Sequence, residues 1–353
     1  MNIRKILSFA FASMLVFTLS CSSDSENIEQ PITYEAGVLI ANEGGFTTTT
    51  AEVSFVSNNL GNVYNKIYGG NNNNEPLGKV LQSIGFSGDR AYLVSNSPNK
   101  IDIVNRYTFK KQATVTANID GARYIAFSGN QYYVTNTNFT TNKKKLNIYN
   151  TADNSFVKSI DFTNAAEKVV EAEGKIVVQT DGVGYDANWN PIATGYTVTV
   201  VNPSTNAVSQ TVNLPNSGII KDLISYKGSA YVLVSGAANS VIYKINTADG
   251  TYAATTLTAI PNVQKLRADD NKFYFITDTN KVYGMTIGST TVPAAPILTA
   301  TGNVYGFDVI DGKIFASDAS FTADSKVNVY TASNGTLLKT FTTGIGTNGF
   351  YKN

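Results

Sequence analysis

The chain contains no histidine, one cysteine and one tryptophan in 353 residues. The missing histidine excludes Ser-His-Asp and Cys-His nucleophilic sites, and His-ligated zinc, copper and haem. A single cysteine, Cys21, excludes an intrachain disulfide. Charge is scarce and balanced: 15% of residues are charged, with 27 Lys and Arg against 26 Asp and Glu. No basic footprint for nucleic acid results. There is no spaced Asp-x-Asp-x-Asp loop for calcium and no Gly-rich phosphate loop between a strand and a helix. No metal site or catalytic cofactor is therefore expected. Carboxylate-pair chemistry is the one common hydrolytic route left. Glu43, Asp181, Asp278 and Asp318 could supply it, although nothing in the sequence singles out a pair.

What is plentiful is β-forming. Tyr (20), Phe (18) and Gly (28) are abundant, and Asn and Thr are frequent, as in strands joined by tight polar turns. The N-terminus differs. Arg4 and Lys5 precede an apolar run, Ile6–Leu19, too short for a spanning helix. It ends in Thr18-Leu19-Ser20-Cys21, which looks like a bacterial lipobox. That resemblance implies cleavage of residues 1–20 and lipidation of Cys21, and several acyl chains would make the anchor stable. An ordinary secretory leader ending in an incidental cysteine is the alternative. Residues 21–33 then form the lipidated cysteine and a polar, acidic tether that includes Ser22–Pro31. An acidic Ser-rich tether resembles the surface-export signal of Bacteroidota-type lipoproteins, which places the chain on the outward face of the outer membrane.

Residues 34–353 repeat. Tyr92, Tyr133, Val177, Tyr231, Tyr274 and Phe315 each sit in an apolar run just after a tight turn. The turns are Gly88-Asp89, Gly129-Asn130, Gly174-Lys175, Gly228-Ser229, Asp270-Asn271 and Gly312-Lys313. A further strand follows each, as in Ile101–Val104, Leu146–Tyr149 and Val327–Tyr330. The period is that of a four-stranded unit, longer than a usual solenoid repeat and much shorter than a sandwich. Six units are complete. The N-terminal segment, anchored at Leu39, lacks an innermost strand, while Asn348–Asn353 reads as an innermost strand with no unit to follow. Pairing these two ends removes both exposed edges. The fold class is all-β: a seven-bladed β-propeller closed by its C-terminal strand.

In such a ring the b–c and d–a connections share one rim, where their variable length favours binding. The b–c loops there supply Asn42, Glu43 and Phe46, then Asn96, then Asn136 and Phe139, then Asp181, Tyr185 and Trp189 in the longest loop, Asp181–Gly195. Asp278 and then Asp318 with Phe321 follow. The d–a loops supply Arg123, Tyr124, Tyr305 and Asn348. The expected result is a broad, nearly neutral bowl of aromatics and amides, suited to a large uncharged ligand. Asn at a strand end is also a common turn residue, and Phe46, Phe139 and Phe321 could simply cap strands. Trp189 is the hardest to assign to packing alone. Lys143–Lys145 reads as a solvated hairpin turn, Asn96–Lys100 as a turn, and Val63–Ile67 as a strand.

Several stretches resemble one family: Leu39-Ile-Ala-Asn-Glu-Gly-Gly-Phe, Glu75-Pro-Leu-Gly-Lys-Val-Leu-Gln-Ser-Ile, Asn99-Lys-Ile-Asp-Ile-Val, Ala122-Arg-Tyr-Ile and the terminal Asn348-Gly-Phe-Tyr. They are similar to lipid-anchored surface propellers of Bacteroidota, the DUF5074 or YncE-like proteins, which include the cobalamin-binding BtuG type. Ala122 stands where that family usually has Pro, and Lys79 where an acid is expected. The resemblance implies a non-enzymatic surface lipoprotein, monomeric apart from its transporter. It would capture a corrinoid on the loop face and deliver it to a TonB-dependent outer-membrane transporter. A propeller that binds protein or glycan, and a carboxylate hydrolase or lyase, are the alternatives.

Overall fold

A computed structural model describes residues 32–353. The leader, Cys21 and most of the tether lie outside the described residues. Tight turns organise everything else. The two residues between the first and second strands of a blade fall at Glu173-Gly174, Lys227-Gly228, Asp270-Asn271 and Asp311-Gly312, and all eight have positive φ. Two successive left-handed residues make the hairpin turn that matches strand twist. Three of these turns therefore lie one residue earlier than the sequence pattern places them, at Glu173, Lys227 and Asp311.

Seven four-stranded antiparallel sheets result among the described residues. Blade 1 combines Thr347–Lys352, innermost, with Gly37–Asn42, Glu52–Ser57 and Val63–Tyr64. Its register pairs Leu39 with Tyr351, Ile40 with Phe350 and Asn42 with Thr347. The inner strands of blades 2 to 7 are Val80–Ser87, Ala122–Ser128, Val169–Ala172, Ile219–Tyr226, Val263–Asp269 and Phe307–Ile310. The propeller and its closure by the C-terminal strand are as expected.

The core lies between blades, not within them, because each sheet buries both faces against its neighbours. Tyr92 and Val94 of blade 2 pack with Ala122, Tyr132 and Val134 of blade 3. At the closing seam Val38, Ile40 and Phe350 pack with Phe315, Val327 and Val329 of blade 7. Each fully buried side chain of this size contributes about 1.5–3 kcal/mol.

Three local readings are corrected. The turn expected over Asn96–Lys100 narrows to Ser97-Pro98, because Asn96 pairs directly with Asn99 and the flanking residues are ladder. Lys143–Lys145 opens the strand Lys143–Asn150, where its backbone pairs with Asn136–Asn138. The strand expected over Val63–Ile67 stops at Tyr64, and a short helix, Ile67–Asn71, follows. Glu52 holds that helix start, accepting from the Tyr68 and Gly69 amides at 3.2 and 2.8 Å.

Candidate binding site

The first residues of each inner strand converge on the central channel. Successive side chains of a strand point to opposite sides, so inner strands send residues of the channel mouth into the lumen at intervals of two. They enclose a cavity of about 590 Å³ lined by Gln82, Arg123, Lys168, Asp222, Lys265, Arg267, Tyr305, Asp308 and Asn348.

An ion network crosses this cavity. Arg267 bridges two blades, with Nη1 2.7 Å from Asp222 Oδ2 and Nε 3.1 Å from Asp308 Oδ2. Lys168 Nζ lies 3.7 Å from Asp222 Oδ1 and 3.9 Å from the centre of the Tyr124 ring. Burial pushes the Asp222 carboxyl up, but the Arg267 and Lys168 charges and the Leu266 amide outweigh it and hold it low. At Asp308 burial wins: the Arg267 charge and the Val309 amide recover only part, and its carboxyl stays high. Burial, then the Arg267 and Lys168 charges, bring the Lys265 ammonium down to about 7. Lys265 Nζ donates to the Tyr305 carbonyl.

A second cluster sits above it. Arg123 Nε is 2.9 Å from Glu167 Oε2, and its Nη1 donates to Gln82 Oε1 at 2.7 Å. Asn96 Nδ2 donates to the same Gln82 oxygen at 3.1 Å. Tyr305 donates to Glu43 Oε2 at 2.7 Å, and Asn348 Nδ2 lies 3.5 Å from that oxygen. Burial raises the Glu43 carboxyl above the usual range, against the Tyr305 hydrogen bond. Phe321 packs edge-on to Tyr305 with ring centres 5.2 Å apart.

A second cavity, of about 540 Å³, shares Arg123, Tyr124 and Lys168 with the first. Phe139, Lys144, Tyr185 and Lys221 are among the other residues of its wall. The loop expected over Asp181–Gly195 is a small hairpin there, Val183–Tyr185 paired with Pro191–Ala193. Its base is pinned by Asp181, which accepts from Asn164 Nδ2 at 2.6 Å and from the Thr197 hydroxyl and amide at 2.6 and 2.8 Å. Its tip is held by Asp186, which accepts from the Asn188 and Asn190 amides at 2.8 and 2.9 Å. Trp189 sits at that tip with φ 64°, 81% exposed, its ring centre 6.1 Å from that of Tyr185. The Asp186 hydrogen bonds thus fix the turn that carries this solvent-exposed indole.

The residues singled out in the sequence thus divide four ways. Glu43, Arg123, Tyr124, Tyr305 and Asn348 come together at the channel mouth, with Asn96 behind them. Phe46, Phe139, Tyr185, Trp189 and Phe321 are exposed. Asn42, Asn136 and Asp181 are buried, and their polar atoms serve the scaffold. Asn42 Oδ1 accepts from Thr347 Oγ1 at 2.8 Å across the closing seam, and Asn136 Oδ1 accepts from the Asp120 amide at 3.0 Å. Asp318 Oδ1 accepts from the Asn303 amide at 2.9 Å, and Asp278 lies exposed, its charge acting on Lys221. Among the described residues, no two of Glu43, Asp181, Asp278 and Asp318 share a hydrogen-bond partner.

Sequence reasoning missed Gln82, Glu167, Lys168, Asp222, Lys265, Arg267 and Asp308. Their signal was present: each breaks an apolar strand start, near the same place in successive repeats. At the channel mouth the expected amides give way to paired charges, balanced in number, four cations against four carboxylates.

These features define a closed seven-bladed propeller with a charged, water-accessible channel mouth and an aromatic hairpin beside it. The chain belongs to the family described as a domain of unknown function, DUF5074, whose model matches residues 36–351. No curated protein matches the sequence. Among solved structures, the chain is similar to a quinonprotein alcohol dehydrogenase-like protein from Bacteroides thetaiotaomicron, with 14% identity, a TM-score of 0.68, and 91% of this chain and 79% of that one covered. It is also similar to dihydro-heme d1 dehydrogenase NirN in complex with DHE, with 14% identity, a TM-score of 0.57 and coverage of 92% and 76%. The computationally designed Ika8 protein matches with 11% identity, a TM-score of 0.57 and coverage of 91% and 92%. At these identities the likeness is one of fold.

Proposed function

We propose that this propeller is a non-enzymatic capture module for a large nutrient, with a corrinoid such as cobalamin as the leading ligand. It is anchored through a lipidated Cys21 on the outer face of an outer membrane and hands its ligand to a TonB-dependent transporter. The observation that carries the reading is a pair of neighbouring cavities, about 590 and 540 Å³, with Arg123, Tyr124 and Lys168 lining both. A ligand filling both would span the channel mouth and the aromatic hairpin. Paired charges there are pre-organised, so they can hydrogen-bond a polar, amide-rich ligand without being reordered.

Trp189→Ala tests the face. With 81% of the residue exposed, its removal is expected to shift the melting temperature by less than about 2 °C. Cyanocobalamin binding, read by equilibrium dialysis, is expected to weaken by about tenfold or more. A large stability loss with unaltered binding would assign the indole to packing alone.

The exposed pair Tyr185 and Trp189 also favours a second reading, a propeller that docks on glycan or protein. A glycan array probed with wild type and Trp189→Ala separates it: array binding without cyanocobalamin binding supports this alternative.

A further inference from the structure

The channel holds four cations, Arg123, Lys168, Lys265 and Arg267, against four carboxylates, Glu43, Glu167, Asp222 and Asp308, but their contacts are uneven. Arg267 and Lys168 stand against Asp222 and Asp308, two cations for two carboxylates. Arg123 is matched by Glu167 across 2.9 Å. Glu43 is held by the Tyr305 hydroxyl and Asn348. Lys265 is the cation with no carboxylate in contact: among the described residues no carboxylate oxygen lies within 4.0 Å of its Nζ. An ammonium has three donors, and the one hydrogen bond from Lys265 goes to a backbone carbonyl, that of Tyr305. Its side chain lines the same lumen as Lys168 and Arg267.

We propose that the channel floor is a seat for one singly charged oxyanion group of the ligand, a phosphodiester or a carboxylate, received by Lys265 with Lys168 beside it. An enclosed, unpaired ammonium facing other cations is costly, and an anion brought against it recovers that cost. Burial first, and then the Arg267 and Lys168 charges, bring the ammonium down to about 7. The groups facing Lys265 from neighbouring strands are Lys168, Asp222 and Asp308, with Arg267 on its own strand. Tyr305 and Glu43 face it from blades 7 and 1. None of them is an unengaged anion, so the position is open to one from outside. The capture reading supplies the molecule that carries the anion; the seat itself is testable without it.

The test titrates the protein with dimethyl phosphate and, separately, with acetate. The readout is the NMR signal of the Lys265 side chain in lysine-labelled protein, assigned by its loss in Lys265→Met. The proposal expects a saturable shift with at least one anion, about tenfold tighter near pH 6 than near pH 9, where the ammonium is neutral. Tighter binding of one probe identifies the group as phosphodiester or carboxylate. Lys168→Met is expected to weaken binding severalfold while leaving the circular dichroism spectrum unchanged. No saturable shift up to about 100 mM of either anion, a millimolar-or-weaker limit, overturns the proposal. So does binding that ignores both pH and Lys168. Failure here with intact cyanocobalamin binding removes the anion seat alone; the converse removes the corrinoid alone.

Discussion

Replacing Arg267 by Met is expected to lower the free energy of unfolding by about 3–5 kcal/mol. The guanidinium joins three consecutive blades, since it lies on blade 6 and bonds Asp222 of blade 5 and Asp308 of blade 7. Removing it leaves two enclosed carboxylates with only Lys168, 3.7 Å from Asp222, as a cationic partner. The cost is an uncompensated buried charge, not the loss of one attractive pair. The pH dependence follows from sign. In the wild type the Asp222 carboxyl is held below its unfolded value, so its stabilisation is present at neutral pH and is lost as pH falls through the folded value. Without Arg267 both carboxyls rise above their unfolded values. Their penalty is then full at neutral pH and is relieved as protons bind. The difference between variant and wild type should therefore narrow between about pH 7 and pH 5. Urea unfolding at those two values checks it. A loss under about 1 kcal/mol at neutral pH would show that the pair is solvated like a surface bridge.

Deleting the last seven residues, Thr347–Asn353, is expected to abolish cooperative folding. This segment supplies the inner strand of blade 1 and five register pairs with Gly37–Asn42. It also supplies Phe350 to the seam with blade 7, the Thr347–Asn42 hydrogen bond of 2.8 Å, and Asn353, which caps Arg106 Nε at 2.8 Å. Each loss is modest alone, but together they approach the ~5–15 kcal/mol that a domain has in total. Its loss would also leave the inner edge of Gly37–Asn42 unpaired, which favours aggregation. Thermal melting followed by circular dichroism is the measurement. A truncated chain that still melts cooperatively within about 5 °C of the full one would mean the seam contributes little.

The fold was legible because its signals are local and repeated. A left-handed turn before an apolar run, with Gly in blades 2, 3, 4, 5 and 7 and Asp270-Asn271 in blade 6, marks the complete blades, and the unpaired strand at either end demands closure. The site was less legible for two reasons. Loop residues were preferred, yet polar side chains at strand ends have scaffold work: Asn42 ties the seam and Asp181 pins the hairpin base. The channel residues Asp222, Lys265 and Arg267, in contrast, sit inside strands and Lys168 just before one, where a single Lys, Asp or Arg reads as an outward-facing position. Only radial convergence of the inner strands shows that Lys168, Asp222, Lys265 and Arg267 meet. A reading that aligned repeats and asked which inner-strand positions break the apolar pattern would have found them.

The most direct test is titration calorimetry of the propeller, residues 32–353, with cyanocobalamin. The capture reading predicts saturable one-to-one binding with a dissociation constant in the micromolar range or tighter, about −8 kcal/mol or better, weakened by Trp189→Ala. No heat of binding at micromolar ligand would contradict it.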